Sequence, residues 1–375
     1  MAAKPGALKV LDEKALRKKY ATAGIASIII PSKEDLLWLP SRNLSLNWQL
    51  GGGIPYGRII ELIGYESTGK TLMAQDFCSV CQALGGQILW DDAEGAWTNY
   101  WAEQNGIDPS KVELYTGNDV EGFSDWFRDM ILFHRSRLVN NEPIVAVVDS
   151  IAALECAENI DSDQKDGKAE MGNRAKAIYK MYRKRNQFLN KYGVILIAVN
   201  QVREKVGASI YEDATTTPGG AATKFYASQR VILQRGKQIL MTLRGKEVKI
   251  GQNVFVRVMK NKVAPPMGSQ KTEVHFRAEK QGYVGYSRYA GLPDIFQAEG
   301  LVTKKGSRYY RKEKMIANGE EGFLKLLHTN DALRSLLIKR SSINTVSKTK
   351  EKLALIAKNL YPVKLKEATG DEGGE

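Results

Sequence analysis

A stretch of eight residues, 64–71, has the residue types and the spacing that bind a nucleoside triphosphate. Its sequence, GYESTGKT, matches G-x-x-x-x-G-K-[ST] in full, after an apolar run and at the start of a predicted helix. In that context Lys70 would reach the β- and γ-phosphates of ATP, and the Thr71 hydroxyl would bind Mg²⁺. The backbone that would wrap the phosphates comprises Glu66, Ser67, Thr68, Gly69 and Lys70.

Two acidic residues follow other apolar runs. Asp149 ends the run IVAVV and is predicted to orient Mg²⁺ together with Thr71. An Asp in this place is otherwise often the N-cap of a helix. Glu94, in the sequence DDAE after QILW, is the best candidate to polarise the attacking water, and its alternative interpretation is a solvated acid of a loop.

Between about residues 57 and 264, predicted strands alternate with predicted helices, and these elements must position the residues above. Four largely apolar runs, at 59–63, 87–91, 144–149 and 194–200, are separated by helical patterns. Such runs indicate a mostly parallel sheet covered by helices on both faces, which is an α/β core. Three shorter strands are predicted at the far edge of that sheet, at 230–233, 239–243 and 254–259.

The composition changes along the chain predict four segments. Residues 1–35 read as an arm with a short basic helix and a lone apolar strand at 25–30. Residues 36–280 are the predicted core, and 281–350 form a small basic α/β domain with 13 Lys or Arg against 6 Asp or Glu, a net charge of +7. Residues 351–375 are predicted as a C-terminal helix and an acidic tail.

The 375-residue chain carries a formal charge of +13, which favours a polyanionic partner, although charge alone does not choose between DNA, RNA and lipid. Three cysteines cannot form a closed disulfide framework, so a reducing compartment such as the cytoplasm is expected. We predict that Cys78 and Cys81 are buried thiols and not metal ligands, because no second pair completes a zinc site. No apolar run reaches the roughly 18 residues of a membrane span.

Six segments in one order resemble the bacterial RecA recombinases, over about residues 10 to 340. They are 44–71, Asp92-Ala93-Glu94, Val148-Asp149-Ser150, Asn200-Gln201-Val202-Arg203, 215–230 and Lys260-Asn261-Lys262. The basic composition and short tail suggest a divergent, phage-type member. The resemblance implies a RecA-type ATPase core that uses ATP and Mg²⁺, forms open helical filaments of identical subunits on single-stranded DNA, pairs them with double-stranded DNA and exchanges strands.

The resemblance also assigns roles near the nucleotide. Glu94 is similar to the catalytic glutamate, and Trp101 stands where the family places an adenine-stacking tyrosine. Thr98 departs from the usual adenine-contacting acid, and aromatic residues at this spacing are more often part of a core. Gln201 resembles the glutamine that senses the γ-phosphate. Lys260 and Lys262 resemble lysines that reach into the ATP site of the neighbouring protomer, although K-N-K alone is usually a surface turn.

Two predicted loops, 159–172 and 202–220, are rich in Gly, Ser, Thr and charge and are long for purely structural connections. The resemblance makes them DNA-binding loops, with Met171 and Val206 wedged between bases. It assigns backbone contacts to Lys176, Arg183, Arg203, Lys205, Gly219 and Gly220. A predicted helix, 173–192, carries several cations, which on one helix usually form a solvated face.

Two other interpretations remain open at this point. A hexameric DNA helicase or motor of related fold would need the same trans-acting site, but it would not explain the two long loops. A regulatory ATP-binding scaffold with vestigial hydrolysis is disfavoured by the presence of Lys70, Glu94 and Asp149 together.

Overall fold

A computed structural model describes residues 37–138, 142–160, 167–204, 215–216, 221–265, 268–278 and 281–343. The described residues from Trp38 onward belong to one compact unit. The predicted arm at 1–35 and the predicted helix and tail at 351–375 lie outside the described residues, and the predicted domain boundaries stay predictions.

The elements of the core come in the following order. Its amino-terminal half contains β1 (Trp38–Leu39), α1 (Leu44–Leu50), β2 (Ile54–Pro55), β3 (Ile59–Gly64), α2 (Lys70–Ala83), β4 (Gln87–Asp91), α3 (Asn99–Gln104), a 3₁₀ helix (Pro109–Lys111), β5 (Val112–Tyr115), α4 (Val120–Arg135) and β6 (Ile144–Val148). Its second half contains α5 (Ala157–Ile160), α6 (Gly167–Tyr192), β7 (Val194–Gln201), β8 (Arg203–Glu204), β9 (Thr215–Thr216), α7 (Ala221–Tyr226), β10 (Gln229–Leu243), β11 (Lys246–Asn261), β12 (Ser269–His275) and β13 (Gly285–Tyr286).

Nine strands of the described chain form one sheet in the order β13-β12-β11-β10-β3-β7-β6-β4-β5. The strands from β10 to β5 are parallel, and β11, β12 and β13 are added antiparallel. The predicted α/β fold with a mostly parallel sheet is confirmed. The carboxyl ends of the parallel strands therefore meet at one edge, where open sheets of this type bind ligands.

Both faces of the parallel strands are buried, as their continuous apolar runs predict. In β6, Val145 and Val147 belong to the core on one face, and Ile144, Ala146 and Val148 belong to the core on the other. Helix α2 covers the first face, and helices α4 and α6 cover the second. A strand with no water on either face has polar side chains mainly at its ends, which fixes where the chemistry can be.

The prediction of three short strands at the far edge is wrong. Segments 230–233 and 239–243 belong to one strand of 15 residues, β10, and its partner β11 has 16. Both lie inside the sheet, between β3 and β12. The ladder is irregular between Arg235 and Gln238, beside Gly236, and the outer parts of both strands are exposed, so no continuous apolar run marks them.

The predicted start of the helix at 173 is also wrong, because α6 begins at Gly167. Residues 168–171 are the good helix formers Lys, Ala, Glu and Met, and they outweigh Gly172, which costs only about 1 kcal/mol in a helix. With α5 at Ala157–Ile160, much of the predicted first loop is helical. The predicted second loop contains a short antiparallel ladder between β8 and β9.

The C-terminal part has its own hydrophobic core, which includes Tyr289, Phe296, Tyr309 and Phe323. Its elements are α8 (Leu292–Ala298), β14 (Thr303–Lys305), β15 (Arg308–Arg311), β16 (Lys314–Asn318), α9 (Gly319–Thr329) and α10 (Asp331–Arg340). Strands β14, β15 and β16 form an antiparallel sheet in that order, and β14 and β16 are largely exposed.

All three cysteines are free and buried, which confirms the prediction of buried thiols. Within the part of the chain that the structure describes, no helix combines the length and the apolarity needed to cross a membrane.

A half-buried histidine, His328, lies where α9 packs against the segment before α8. The ring centroid of His328 is 4.6 Å from that of Tyr289. The charged or titratable groups that interact electrostatically with His328 are Arg288, Arg334, His275 and Glu273. Burial, followed by the two arginines and His275, lowers the pKa of His328 to about 4, and Glu273 opposes this shift. The ring is therefore neutral at physiological pH.

This pKa predicts acid sensitivity of the fold. Between pH of about 6.5, where an unfolded histidine titrates, and about 4, the unfolded chain binds a proton that the folded chain excludes, so stability falls as pH falls. We expect His328→Phe to reduce the loss of stability between pH 6.5 and 5, measured by urea unfolding. An unchanged pH dependence in the variant would contradict the assignment.

Candidate functional site

The predicted phosphate-binding residues form a loop between strand β3 and helix α2, as the motif requires. Ser67, with φ of 57°, and Gly69, with φ of 92°, both adopt left-handed conformations. The carbonyl of Tyr65 accepts hydrogen bonds from Lys70 Nζ at 2.8 Å and from Thr68 Oγ1 at 2.9 Å. Lys70 is buried, and this burial lowers its pKa, while Asp149, Glu94 and Glu66 raise it.

The structure brings the two predicted magnesium ligands together. Thr71 Oγ1, in the first turn of α2, donates to Asp149 Oδ2 at 2.8 Å. Asp149 directly follows β6 and is followed by a turn, so the alternative of a helix N-cap does not apply. Burial raises the pKa of Asp149 to about 6, and the nearby Glu94 adds to this effect, whereas the Thr71 hydrogen bond and Lys70 oppose it.

A hydroxyl and a carboxylate are oxygen donors of the kind that Mg²⁺ prefers, so these residues fit that ion. Among the described residues, no group of three or more His, Cys, Asp or Glu side chains could hold a metal by itself. A magnesium ion here would need phosphate oxygens and water as its remaining ligands, which is usual for Mg²⁺ at nucleotide sites.

The acidic residues after β4 have separate environments. Both oxygens of Asp91 are buried without a hydrogen-bond partner among the described residues, and burial raises its pKa to about 8. Asp92 accepts hydrogen bonds from the backbone N–H groups of Ala96 and Trp97 and so shapes the loop. Glu94 is exposed, and its N–H donates to the carbonyl of Asp149. Of the three carboxylates, Glu94 is the one available to a reaction.

Glu94 is joined to the ends of two further strands. Its Oε1 accepts hydrogen bonds from Gln201 Nε2, at 3.1 Å, and from the hydroxyl of Ser150. Glu94 and Gln201 are therefore in direct contact, and their roles at one γ-phosphate stay predictions. Ser150 belongs to one of the segments that resemble the family, but the resemblance assigns it no role. Its position directly after Asp149, at the same edge of the sheet as Glu94, is the sequence feature that could have indicated a role in the site.

The aromatic residues after Glu94 have mixed environments. Trp97 packs against Trp90, with ring centroids 4.9 Å apart, and Trp101 is partly buried against the same core. Tyr100 is exposed by 69%. Thr98 is the N-cap of α3, where its side chain accepts from the N–H of Trp101. Stacking of Trp101 on adenine stays a prediction.

Within the described chain, Lys260 and Lys262 form no hydrogen bond with Lys70, Asp149, Glu94 or Gln201. The amino group of Lys260 donates to the carbonyls of Lys224, at 2.5 Å, and Phe225, at 3.3 Å, at the end of α7. Lys262 also donates to the carbonyl of Phe225, at 3.3 Å. Burial lowers the pKa of Lys260 to about 8, and Lys262 and Arg230 lower it further.

The predicted DNA-binding residues are only partly described. Lys176 and Arg183 lie exposed on α6, whereas Arg185 of the same helix is buried and donates to Ser124 and Asp125, which is a structural role. Met171 lies on α6 and Arg203 on β8, but their side chains are outside the described part. The remaining predicted residues, Lys205, Val206, Gly219 and Gly220, lie outside the described residues.

These features define a class: an open α/β nucleotide hydrolase with a phosphate loop after the first core strand and an acid at the end of a neighbouring strand. The description "RecA N-terminal domain" belongs to the family model that matches residues 9–280. Protein RecA of Thermus thermophilus is 32% identical over 333 residues, 88% of this chain and 92% of that protein. Protein RecA of Bacillus subtilis (strain 168) is 32% identical over 318 residues, covering 84% of this chain and 86% of the relative.

Protein RecA of Oleidesulfovibrio alaskensis is 30% identical over 323 residues, 86% of this chain and 87% of that protein. The chain belongs to the RecA family. It is an ATP-dependent recombinase, a DNA-dependent ATPase that binds ATP and DNA and acts in DNA recombination and repair. The hexameric motor is not favoured by these matches.

The newly found contact of Ser150 predicts a measurable effect on catalysis. Ser150→Ala removes a hydroxyl that orients Glu94, so we expect kcat for ATP hydrolysis to fall about three- to tenfold with little change in KM. Ser136→Ala serves as a control, because it removes an exposed hydroxyl that, within the described chain, donates only to the carbonyl of Phe133. A kcat equal to that of wild type in Ser150→Ala would show that Glu94 needs no such support.

Proposed function

We propose that this recombinase binds Mg²⁺-ATP between neighbouring protomers of an open helical filament on single-stranded DNA and there catalyses homologous pairing and strand exchange. One contact carries the proposal: the side chain of Gln201 donates to Glu94, while its backbone leads directly into residues 202–220. A single residue thus contacts the candidate ATPase site and directly precedes the predicted second DNA-binding loop. That arrangement suits a protein whose ATP turnover depends on DNA.

In the proposed nucleotide site, the amides of residues 66–70 bind phosphate oxygens and Lys70 supplies a positive charge to the β- and γ-phosphates. Thr71 and Asp149 would hold Mg²⁺, which would neutralise developing phosphate charge. Glu94, fixed by Ser150 and Gln201, takes the role of orienting and polarising water. Trp101 is proposed to stack on the adenine.

The lysines are proposed to act across the protomer boundary. Lys260 and Lys262 donate to the end of α7 and, within the described chain, have no hydrogen bond to Glu94 or Lys70. Positive charges that do not serve their own phosphate site are available to the site of a neighbour, as arginine fingers are in other ATPases.

The DNA contacts are proposed to combine exposed cations with loop backbone. Lys176 and Arg183 are exposed on α6, which leads out of the predicted first loop. The other proposed contacts are Met171, Arg203, Lys205, Val206, Gly219 and Gly220. Contacts to phosphates give affinity without reading sequence, which suits a protein in which base pairing must do the reading.

The joint between protomers is proposed at β5, one end of the main sheet. Leu114 of β5 is exposed, as are Leu132 and Phe133 on the adjacent α4, and His134 lies 3.2 Å from Glu113, where it links the two elements. Within the described residues no strand pairs with the outer edge of β5, and such an edge beside exposed apolar side chains suits the strand predicted at 25–30 of another copy. The proposed compartment is the cytoplasm of a bacterium or of an infected host cell, because all three cysteines are buried free thiols.

A mixing experiment tests the shared site. Glu94→Gln keeps sound lysines for its neighbour, and Lys262→Ala keeps a sound Glu94, so each variant alone should lack DNA-stimulated ATP turnover. Random one-to-one mixing pairs a sound Glu94 with a sound lysine donor at about one quarter of head-to-tail interfaces. We therefore expect turnover to return toward about one quarter of wild type.

The matched control mixes Glu94→Gln with Lys70→Ala, because both changes fall in the same protomer's half of the site and cannot complement each other. Co-assembly is verified by pull-down of a tagged variant. If the first mixture co-assembles and stays inactive at every ratio, the lysines serve their own protomer and the shared site is wrong.

A second prediction concerns the basic C-terminal domain. Lys304, Lys305 and Lys314 are exposed on its small sheet, so replacing all three by Ala should weaken binding of duplex DNA more than of single-stranded DNA. Each lost phosphate contact should reduce the slope of log affinity against log salt for duplex DNA by about 0.9.

The control removes the same charge from the β10–β11 hairpin, by replacing Lys237, Lys246 and Lys249, which are exposed there. Fluorescence anisotropy with both DNAs at several salt concentrations measures the effect. Equal losses for the two variants would assign the effect to net charge and not to this domain.

A further inference from the structure

Two carbonyl groups of the phosphate loop are held from outside the loop by buried side chains. Gln252 Nε2, on strand β11, donates to the carbonyl of Ser67 at 2.8 Å. The hydroxyl of Tyr286, on strand β13, donates to the carbonyl of Gly69 at 3.1 Å. Each of the two donor residues is only 1% exposed. Neither belongs to the sequence motif that predicts the loop.

The direction of these carbonyls determines the direction of the amides that would bind phosphate. In a planar trans peptide unit the C=O of one residue and the N–H of the next point in opposite directions. A carbonyl of Ser67 turned toward Gln252 therefore turns the N–H of Thr68 away from β11. In the same way, the bond from Tyr286 to Gly69 turns the N–H of Lys70 away from β13.

The loop needs such support because its backbone is strained. Ser67 has a side chain but adopts φ of 57°, a left-handed conformation that costs free energy in any residue other than glycine. Gly69 has φ of 92°, and a Cβ added there would lie 2.9 Å from the Tyr286 hydroxyl. Tyr286 can therefore approach the loop this closely only because residue 69 is a glycine.

We propose that Gln252 and Tyr286 are positioning residues for ATP, which hold the carbonyls of Ser67 and Gly69 outward so that the amides of Thr68 and Lys70 face the phosphates. They act through the loop backbone and need not touch the nucleotide. This inference rests on the proposed role of residues 64–71 as the phosphate loop. It assigns a function in nucleotide binding to strands β11 and β13, which lie far along the chain from the motif.

The test uses full-length variants that remove only the donor groups. Gln252→Met keeps the length of the side chain without its amide, and Tyr286→Phe removes one hydroxyl. Binding of ADP and of adenosine is measured by calorimetry, and kcat and KM for ATP are measured with saturating single-stranded DNA. The controls are Gln229→Met, which loses bonds to the carbonyls of Leu50 and Gly53, and Tyr309→Phe, in the C-terminal core.

The expected result is specific for phosphate. ADP should bind about three- to tenfold more weakly to each donor variant, adenosine should bind equally well, and KM for ATP should rise with little change in kcat. The control variants should bind ADP as wild type does. Unchanged ADP affinity in both donor variants, or an equal loss for adenosine and ADP, would overturn the inference, since the second result would show a merely structural role.

The variant Lys70→Ala distinguishes an error in the phosphate-loop assignment from an error in the roles of Gln252 and Tyr286. If that variant binds ADP normally, residues 64–71 are not the phosphate loop and the proposed function itself is wrong. If Lys70→Ala weakens ADP binding and the donor variants do not, the loop assignment stands and only the roles of Gln252 and Tyr286 are wrong. Should Gln252→Met fail to fold, Tyr286→Phe decides alone, because it leaves the packing of the ring intact.

Discussion

Burial of the parallel strands on both faces is the constraint on which the rest of the structure depends. It confines most polar chemistry to the carboxyl ends of the strands, where Lys70, Asp149, Glu94 and Gln201 converge. The exception is Glu61 in the middle of β3, which is fully buried and neutralised by Arg230 at 2.5 Å. Its other oxygen accepts from Asn200 at 2.9 Å, and this contact anchors the end of β7 directly before Gln201.

The sequence predicts the elements whose burial is complete and misses those whose burial is partial. The strand at 87–91 is predicted to the residue, because its buried centre, Ile88, Leu89 and Trp90, is apolar and polar residues stand at both ends. The β10–β11 hairpin is read as fragments, because its outer half is exposed on both sides and carries no pattern. The early start of α6 escapes detection since Gly172 resembles a helix breaker, although its neighbours favour a helix.

The residues of the candidate site likewise fall into those that sequence patterns could predict and those that they could not. Lys70, Thr71, Asp149 and Glu94 could be predicted because each follows a strand or opens a helix within a recognisable local pattern. Gln252 and Tyr286 could not, since they bond to backbone carbonyls 185 and 217 residues away, and a backbone acceptor places no demand on the residue type that sequence patterns could show. Such contacts emerge only when the order of strands in the sheet is known.

The order of those strands links the two halves of the proposed site. Strand β11 holds the phosphate loop of its own protomer through Gln252 and ends beside Lys260, whose amino group bonds to the end of α7. The same α7 directly follows the predicted second DNA-binding loop. If Lys260 turns toward a neighbour's phosphates, it must leave the carbonyls of Lys224 and Phe225, because one amino group cannot serve both places. Binding of ATP at the neighbour would then remove the hydrogen bonds from Lys260 to the end of α7. Strand β11, which contacts the phosphate loop through Gln252 and α7 through Lys260, would thus connect the nucleotide site with the predicted DNA-binding loop of one protomer.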